Sequence, residues 1–529
     1  MLAARRRTRA TLVLPITALL LAACGGGGGQ QPGALVSNGS ATAMLLGDWA
    51  TLDPAKATNT LAFQMVQSVY DRLVDIGPDG KVRPYLAEQW TVQPDSVTFQ
   101  LRKGVTCADG AALTPTAVAE SLRRTAAGKT AGIVGTFGTA GTEVTADEAK
   151  SEVAVRLKAP NSDLLAGLAM PWSSIVCPSG LANAEELNTK PSGSGPFTLA
   201  ESVRGDHYTL KARQGYTWGA GNVSTATPGF PGTLTYKVVS NPSTAANLIL
   251  TGGLNMAFIT GTDFNRVSAD QRLFQATKNG LGPEGLLFHQ APGLPGADPA
   301  VRRALAMMVE REAFGRAVNF GRGEPATSLY TKDTPCPGPN ADLVPKTDPA
   351  GAQRVLTEAG YAKGPDGVFA KDGKKLTIRL IAYSQQATGA EYLLDQFKQG
   401  GIDVQLKTME AGAWSDTLST KGQWDVSNYP FTATWPSAAT LTRAFNGTVA
   451  DGNVGQVQNE EYRKAREVAL AAPLETRCGE WHKAEAALLR NVDLVPLQVP
   501  KTTWFGNKAE FALQGSGGNI DPLSIRLKG

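Results

Sequence analysis

Apolar residues along this chain fall into two repeating patterns, after an N-terminal run that follows neither. Leu12 to Ala23 is predominantly apolar; Gly25 to Gly29 and a turn-rich stretch from Gln30 to Gly39 follow it and predict no regular structure. The first ordered element is expected at Ala43-Met44-Leu45-Leu46, a short strand. Leu61, Met65, Val66, Val69, Tyr70 and Leu73 recur at helical spacing. Val97, Phe99 and Leu101 alternate with polar residues, as do Val153, Val155 and Leu157, and later Leu376, Ile378 and Leu380. Thr114-Pro115, Asp298-Pro299 and Asp348-Pro349 each place a capping side chain before a proline and predict helix starts. Gly360 is expected to close the last of these, and Glu391 to Lys398 to form a further helix. Helical and strand periods intermix throughout, which predicts an α/β or α+β architecture.

The N-terminal run gains meaning from its flanks. Arg5, Arg6, Arg7 and Arg9 precede it, and Leu21-Ala22-Ala23-Cys24 ends it. A basic region, a short apolar region and small residues at the cut describe a secretory signal peptide over residues 1–23. The run is too short for a membrane span, which needs about 20 apolar residues. A cysteine directly after the small pair matches the bacterial lipobox, in which that thiol is acylated. Cys24 is therefore the expected lipidation site and residues 24–35 the expected flexible tether, anchoring the chain to the outer face of the cell membrane.

Removing residues 1–23 takes away four arginines and no acids, so the formal charge falls from +4 to about 0. A near-neutral mature chain has no electrostatic case for nucleic acid or anionic lipid as a partner. Apolar residues at 42% and charged residues at 19% fit a folded globular protein, and the length calls for two or more lobes. Of five cysteines, Cys107, Cys177, Cys336 and Cys478 remain beyond the lipobox, and in an oxidising compartment they predict two disulfides, with three pairings open. Evidence of catalysis is lacking. His207, His289 and His482 lie far apart without metal-ligand spacing, and no HExxH or GxSxG occurs. Ser192 stands where a nucleophile elbow in Pro191 to Pro196 would need glycine, and Arg123 where a phosphate loop ending Gly128-Lys129-Thr130 would need one. No catalytic residue, metal or cofactor is expected.

A family resemblance rests on phrases in order. Leu52-Asp53-Pro54 is followed by Val69-Tyr70-Asp71-Arg72-Leu73-Val74, then Val82-Arg83-Pro84-Tyr85-Leu86-Ala87-Glu88-Gln89-Trp90, then Val97 to Val105 with Asp109-Gly110 behind it. Gly193-Ser194-Gly195-Pro196-Phe197, Asp298 to Leu305 and Ala352 to Tyr361 continue the series. Together they resemble the family 5 extracellular solute-binding proteins, the oligopeptide/dipeptide-type receptors of ABC importers, over roughly residues 42 to 505. The phrases identify the scaffold and leave the cargo open. The resemblance implies a two-lobed periplasmic-binding-protein-like α/β fold of the type II, large peptide-receptor class. Lobe I would take residues 36–285 plus 502–529, with an accessory subdomain inserted over 81–189, and lobe II residues 286–501. Cys107–Cys177 and Cys336–Cys478 is the favoured pairing, because each bridge then stays within one lobe and leaves hinge closure free.

The resemblance also places ligand contacts. One set follows the Leu-Asp-Pro phrase, at Thr58, Asn59 and Thr60. The other follows Trp424-Asp425-Val426 and comprises Asn428, Phe431, Thr432, Thr434 and Trp435, with Trp414 on the preceding helix. Peptide receptors carry in this second segment an aspartate that pairs with the ligand's α-ammonium group. Thr434 occupies the matching position, and no acid occurs between Asp425 and Asp451. Another carboxylate then reaches in, or the solute lacks a free amine. The expected function is capture of a peptide or peptide-like solute by a monomeric lipoprotein that delivers it to ABC permease subunits. A non-peptide solute such as a glycoside or siderophore-like molecule, or a sensory role, is the alternative; a surface hydrolase is disfavoured by the missing nucleophile.

Overall fold

Three sheets carry the architecture of the computed structural model, which describes residues 33–77, 80–319, 321–431, 437–473, 475–514 and 518–529. Cys24, Thr432, Thr434 and Trp435 lie outside the described residues. The first sheet has seven strands in the spatial order Phe274–Asn279, Lys501–Gly506, Met256–Phe258, Ser40–Leu45, Thr233–Val238, His207–Ala212 and Phe197–Val203. Ser40–Leu45 is parallel to both its neighbours, and the other pairings are antiparallel. The second sheet has six strands, ordered Glu324–Pro325, Leu494–Val499, Glu284–Phe288, Val426–Pro430, Thr377–Tyr383 and Asp403–Met409. A third, antiparallel sheet of Ala87–Gln93, Ser96–Leu101, Glu152–Leu157 and Thr142–Asp147 sits within the interval expected for an accessory subdomain.

Period-two patterning decides which faces are covered. In Glu284–Phe288, Leu286 and Phe288 enter an apolar cluster with Val301, Leu305, Phe314 and Leu393. Leu287 points to the opposite cluster, with Trp424, Trp481 and Leu488. The second sheet is therefore buried on both sides. The expected caps also form: Asp298 accepts from the Ala300 amide at 2.9 Å and Asp348 from the Gly351 amide at 2.8 Å, with Gly360 left-handed just past the second helix. Two boundaries differ from the sequence reading. The first strand ends at Leu45 and leaves Leu46 48% exposed. The first long helix, α1 (Thr60–Val69), stops before Tyr70 and Leu73, although both are fully buried.

Its ending has a steric cause. The turn Gly193-Ser194-Gly195 packs directly on the end of α1; a Cβ at Gly195 would stand 2.4 Å from the Val69 carbonyl carbon, and one at Gly193 2.4 Å from the Val69 oxygen. The chain turns extended there and delivers Asp71 into the interior. The Asp71 carboxylate accepts hydrogen bonds from Tyr85 Oη (2.5 Å), Trp218 Nε1 (2.8 Å), Ser194 Oγ (2.9 Å) and Tyr216 Oη (3.0 Å). Burial pushes its pKa up while the four donors pull the other way. Nearby, Asp53 of the Leu-Asp-Pro phrase is fully buried and takes both terminal nitrogens of Arg124 at 2.9 and 2.5 Å, which ties the helix Pro115–Ala126 to the same core.

Two disulfides close long loops, Cys107–Cys177 and Cys336–Cys478. The chain passes between the first two sheets at two places. Strand β1 (Phe274–Asn279) of the first sheet leads through residues 280–283 to β2 (Glu284–Phe288) of the second, and β3 (Leu494–Val499) of the second leads through Pro500 to β4 (Lys501–Gly506) of the first. The two crossings touch, the Gly280 amide donating to the Pro500 carbonyl at 2.8 Å. Gly282 is needed there: its φ is +113°, and a Cβ would lie 1.9 Å from the Phe431 carbonyl oxygen. Asp71→Ala orphans four buried donors and should cost about 3–5 kcal/mol of stability, read as a lower urea midpoint; an unchanged midpoint would show that the network is dispensable.

Candidate functional site

Between the sheets lies a cavity of about 490 Å³. Asn59, Thr60 and Phe63 of the α1 start form one wall, and the Ala169–Pro171 strip of the accessory region forms another. The opposite wall is the loop Lys332–Pro337, held by the Cys336–Cys478 bridge to the helix Arg477–Arg490. Lys278 and Leu281, at the first crossing, close the floor. The volume suits a small peptide or a drug-sized solute.

Charges in this wall are mostly spoken for. Asp75 accepts from Arg72 at 2.8 Å and pairs with Arg83 at 2.6 Å. Asp333 takes the Asn279 side-chain amide at 2.6 Å, and Lys332 pairs with Glu324 at 3.1 Å. Lys278 is partly buried and, among the described residues, its side chain has no hydrogen bond or ion pair; burial lowers its pKa, against the pull of Asp333. Glu284, beside the crossing, accepts from Gln386 at 2.6 Å, and burial raises its pKa. It does not line the cavity.

Away from the crossings, accessory region and second lobe meet again. Asp163, fully buried, accepts from Ser437 Oγ and stands 3.9 Å from Arg477, whose guanidinium also donates to the Ser162 carbonyl at 2.6 Å. The Ser162 amide donates to Leu470 at 3.3 Å. Burial raises the Asp163 pKa despite Arg477.

The expected ligand residues separate into three groups. Asn59 and Thr60 line the cavity, although the Asn59 side chain also caps α1 by accepting from Ala62 at 3.0 Å. Thr58 precedes them, exposed, outside the lining. Trp414, Asn428 and Phe431 sit in the second lobe, also outside it. Trp414 stacks between Tyr383 and Tyr429 (5.5 and 5.6 Å) and donates to Ser427 Oγ at 3.2 Å. Phe431 is buried against Tyr429 and Phe445, and Asn428 is fully buried with both polar side-chain atoms unpartnered among the described residues. Thr432, Thr434 and Trp435 are outside the described residues. Lys278, Asp163 and the loop Lys332–Pro337 carry no motif; the one signal for that loop was Cys336 between two prolines, fixed by a long-range bridge. No group of His, Cys, Asp and Glu suited to a metal ion occurs among the described residues, and His289 is stacked on Trp424 at 4.8 Å.

Comparison with known proteins decides the class. The model of the bacterial extracellular solute-binding proteins, family 5 (middle) matches residues 81–453. The chain belongs to this family. As a family 5 receptor it is a substrate-binding protein of an ABC importer and works outside the cytoplasm. The glutathione-binding protein GsiB of Salmonella choleraesuis (strain SC-B67) is 27% identical over 409 residues, covering 74% of this chain and 73% of that protein. A substrate-binding protein from Microbacterium hydrocarbonoxydans, solved with 4-hydroxybenzoate hydrazide, is 28% identical with a TM-score of 0.73, covering 92% of this chain and all of that one. DppA from Helicobacter pylori, solved with the peptide STSA, has 18% identity and a TM-score of 0.74 over 93% of this chain and 98% of its own, a likeness of fold. These are receptors of the same two-lobed periplasmic-binding class. Among the described residues, no helix is long and apolar enough to cross a membrane.

Asp163→Ala strips Ser437 and Arg477 of their buried acceptor. We expect a larger radius of gyration by small-angle scattering in the solute-free receptor and a Kd about three- to tenfold higher; unchanged scattering would make the contact incidental.

Proposed function

We propose that this family 5 receptor captures a peptide or peptide-like solute in the cavity between its lobes and hands it to its permease. The observation that carries the reading is a peptide-sized cavity walled by both sheets' lobes and floored by one of the crossings. GsiB, a relative over three quarters of the chain, is glutathione-binding, and the similarly folded DppA was solved with a tetrapeptide. Lobe I (36–285 with 502–529, accessory subdomain 81–189) and lobe II (286–501) then bend about the two crossings and close on the solute, with the Asp163 contact at the mouth. Asn59 and Thr60 contact solute from one side, and the segment with Thr432, Thr434 and Trp435 from the other. Cys24 carries the lipid, and its glycine tether keeps a monomeric receptor near the permease while leaving it free to rotate. Labelled palmitate should enter the full chain and not Cys24→Ser; equal labelling would refute the anchor.

A second reading has its own support. The Microbacterium relative holds an aromatic hydrazide, and the cavity here offers Phe63, Met170 and Pro171 as apolar surface. Calorimetry with glutathione, the peptide Ser-Thr-Ser-Ala and 4-hydroxybenzoate hydrazide separates the two. A peptide should bind with Kd below about 10 μM and shift tryptophan emission, since the family resemblance implies that at least one of Trp414, Phe431 and Trp435 lines the cleft. Binding of the hydrazide alone would overturn the peptide reading.

A further inference from the structure

The cavity wall carries charges of both signs. Arg72, Lys81, Lys278 and Lys332 line it against Asp75 and Asp333. Both acids are already engaged, Asp75 by two guanidiniums and Asp333 by the Asn279 amide. Arg72 and Lys332 are likewise engaged, by Asp75 and by Glu324 outside the wall.

Lys278 differs from these paired groups: burial outweighs the pull of Asp333 on its ammonium. It is the penultimate residue of β1, beside the crossing, and it lines both this cavity and the adjoining one that continues toward Glu324 and Lys501. Its partly buried ammonium lacks a hydrogen-bond or ion-pair partner among the described residues, and burial disfavours the charge it carries. An ammonium taken from water without a partner is unfavourable, and an oxyanion entering the cavity would supply the missing hydrogen bonds. The groups that could instead read a ligand amine are poorly placed. No acid occurs between Asp425 and Asp451, and Glu284 lies outside the lining, held by Gln386 where burial favours its neutral form.

We propose that the receptor selects its solute by a carboxylate, or an equivalent oxyanion, held at Lys278, and does not require a free ammonium group. This rests on the cavity being the solute site. It narrows the solute class to acids: peptides read by a free C-terminus, or small carboxylic acids.

The test uses the full mature chain and two ligand series. One is Ser-Thr-Ser-Ala with free ends, N-acetylated, C-amidated and doubly blocked; the other is 4-hydroxybenzoate against its neutral hydrazide. In the series that binds, the acid should bind at least about tenfold tighter than its neutral partner, and N-acetylation should change Kd by less than about threefold. Lys278→Gln should collapse the acid preference to less than about threefold at an unchanged Tm, and Lys278→Arg should retain most of it. Equal binding of acid and neutral forms, or a Lys278→Gln variant that keeps the preference, overturns the carboxylate site and leaves the cavity as the solute site. Absence of binding in both series removes the cavity reading, and this inference with it.

Discussion

Four hydrogen bonds to one buried carboxylate hold the receptor's architecture in register. Asp71 takes Tyr85, Ser194, Tyr216 and Trp218 at once, donors that arrive from three separate stretches of chain, Tyr216 and Trp218 sharing one. A buried carboxylate is tolerable only when its lone pairs are filled, so the three donor segments must meet it in one geometry or bear the cost together. The neighbouring ion pairs extend the constraint. Arg72 and Arg83 share Asp75, and Arg83 reaches Asp521 at 3.6 Å, drawing the C-terminal segment onto the same wall. Arg124 on Asp53 fixes the accessory helix from the other side.

With the accessory region fixed to the first sheet in this way, the chain's thinnest joint lies elsewhere. Only the stretches at 280–283 and Pro500 lead between the two large sheets, and both are shaped by close backbone packing at Gly280 and Gly282. Among the described residues the contacts between the lobes include polar ones, Asn279 with Asp333, Lys501 with Glu324 at 2.8 Å, and Asp163 with Ser437 and Arg477, together with Arg322 over the Phe264 ring at 4.0 Å. Polar contacts of that kind exchange readily for water, unlike the apolar clusters within each lobe. Rigid halves, a narrow joint and a wettable seam are the physical requirements for closing over a solute.

Much of this scaffold was legible in the sequence because the family phrases are the residues that converge on Asp71. Asp71, Tyr85 and Ser194 come from three of those phrases, and Asp53 from a fourth; their spacing carried the fold although their meeting point was invisible. The helix caps at Asp298 and Asp348 were local and therefore readable. The disulfide pairing followed from keeping each bridge within one lobe. α1 ends earlier than the helical spacing predicts, because Tyr70 is buried against the Gly193–Gly195 turn and not on a helical face. The site was far less legible. Asn59 and Thr60 follow a recognisable phrase and line the cavity, whereas Lys278, Asp163 and the Lys332–Pro337 loop acquire their surroundings only through tertiary contacts between distant segments. Phe431 and Asn428 follow Trp424-Asp425-Val426 at the spacing the resemblance implies, and both are buried.

Closure of the two lobes on a bound solute is most directly tested by a distance measured across the seam. Spin labels at the exposed positions Lys150 of the accessory sheet and Lys464 of the second lobe report that separation by pulsed dipolar spectroscopy. With a solute that calorimetry shows to bind, a broad solute-free distribution should contract to one short distance. A single distance that the same solute leaves unchanged would contradict capture by lobe closure.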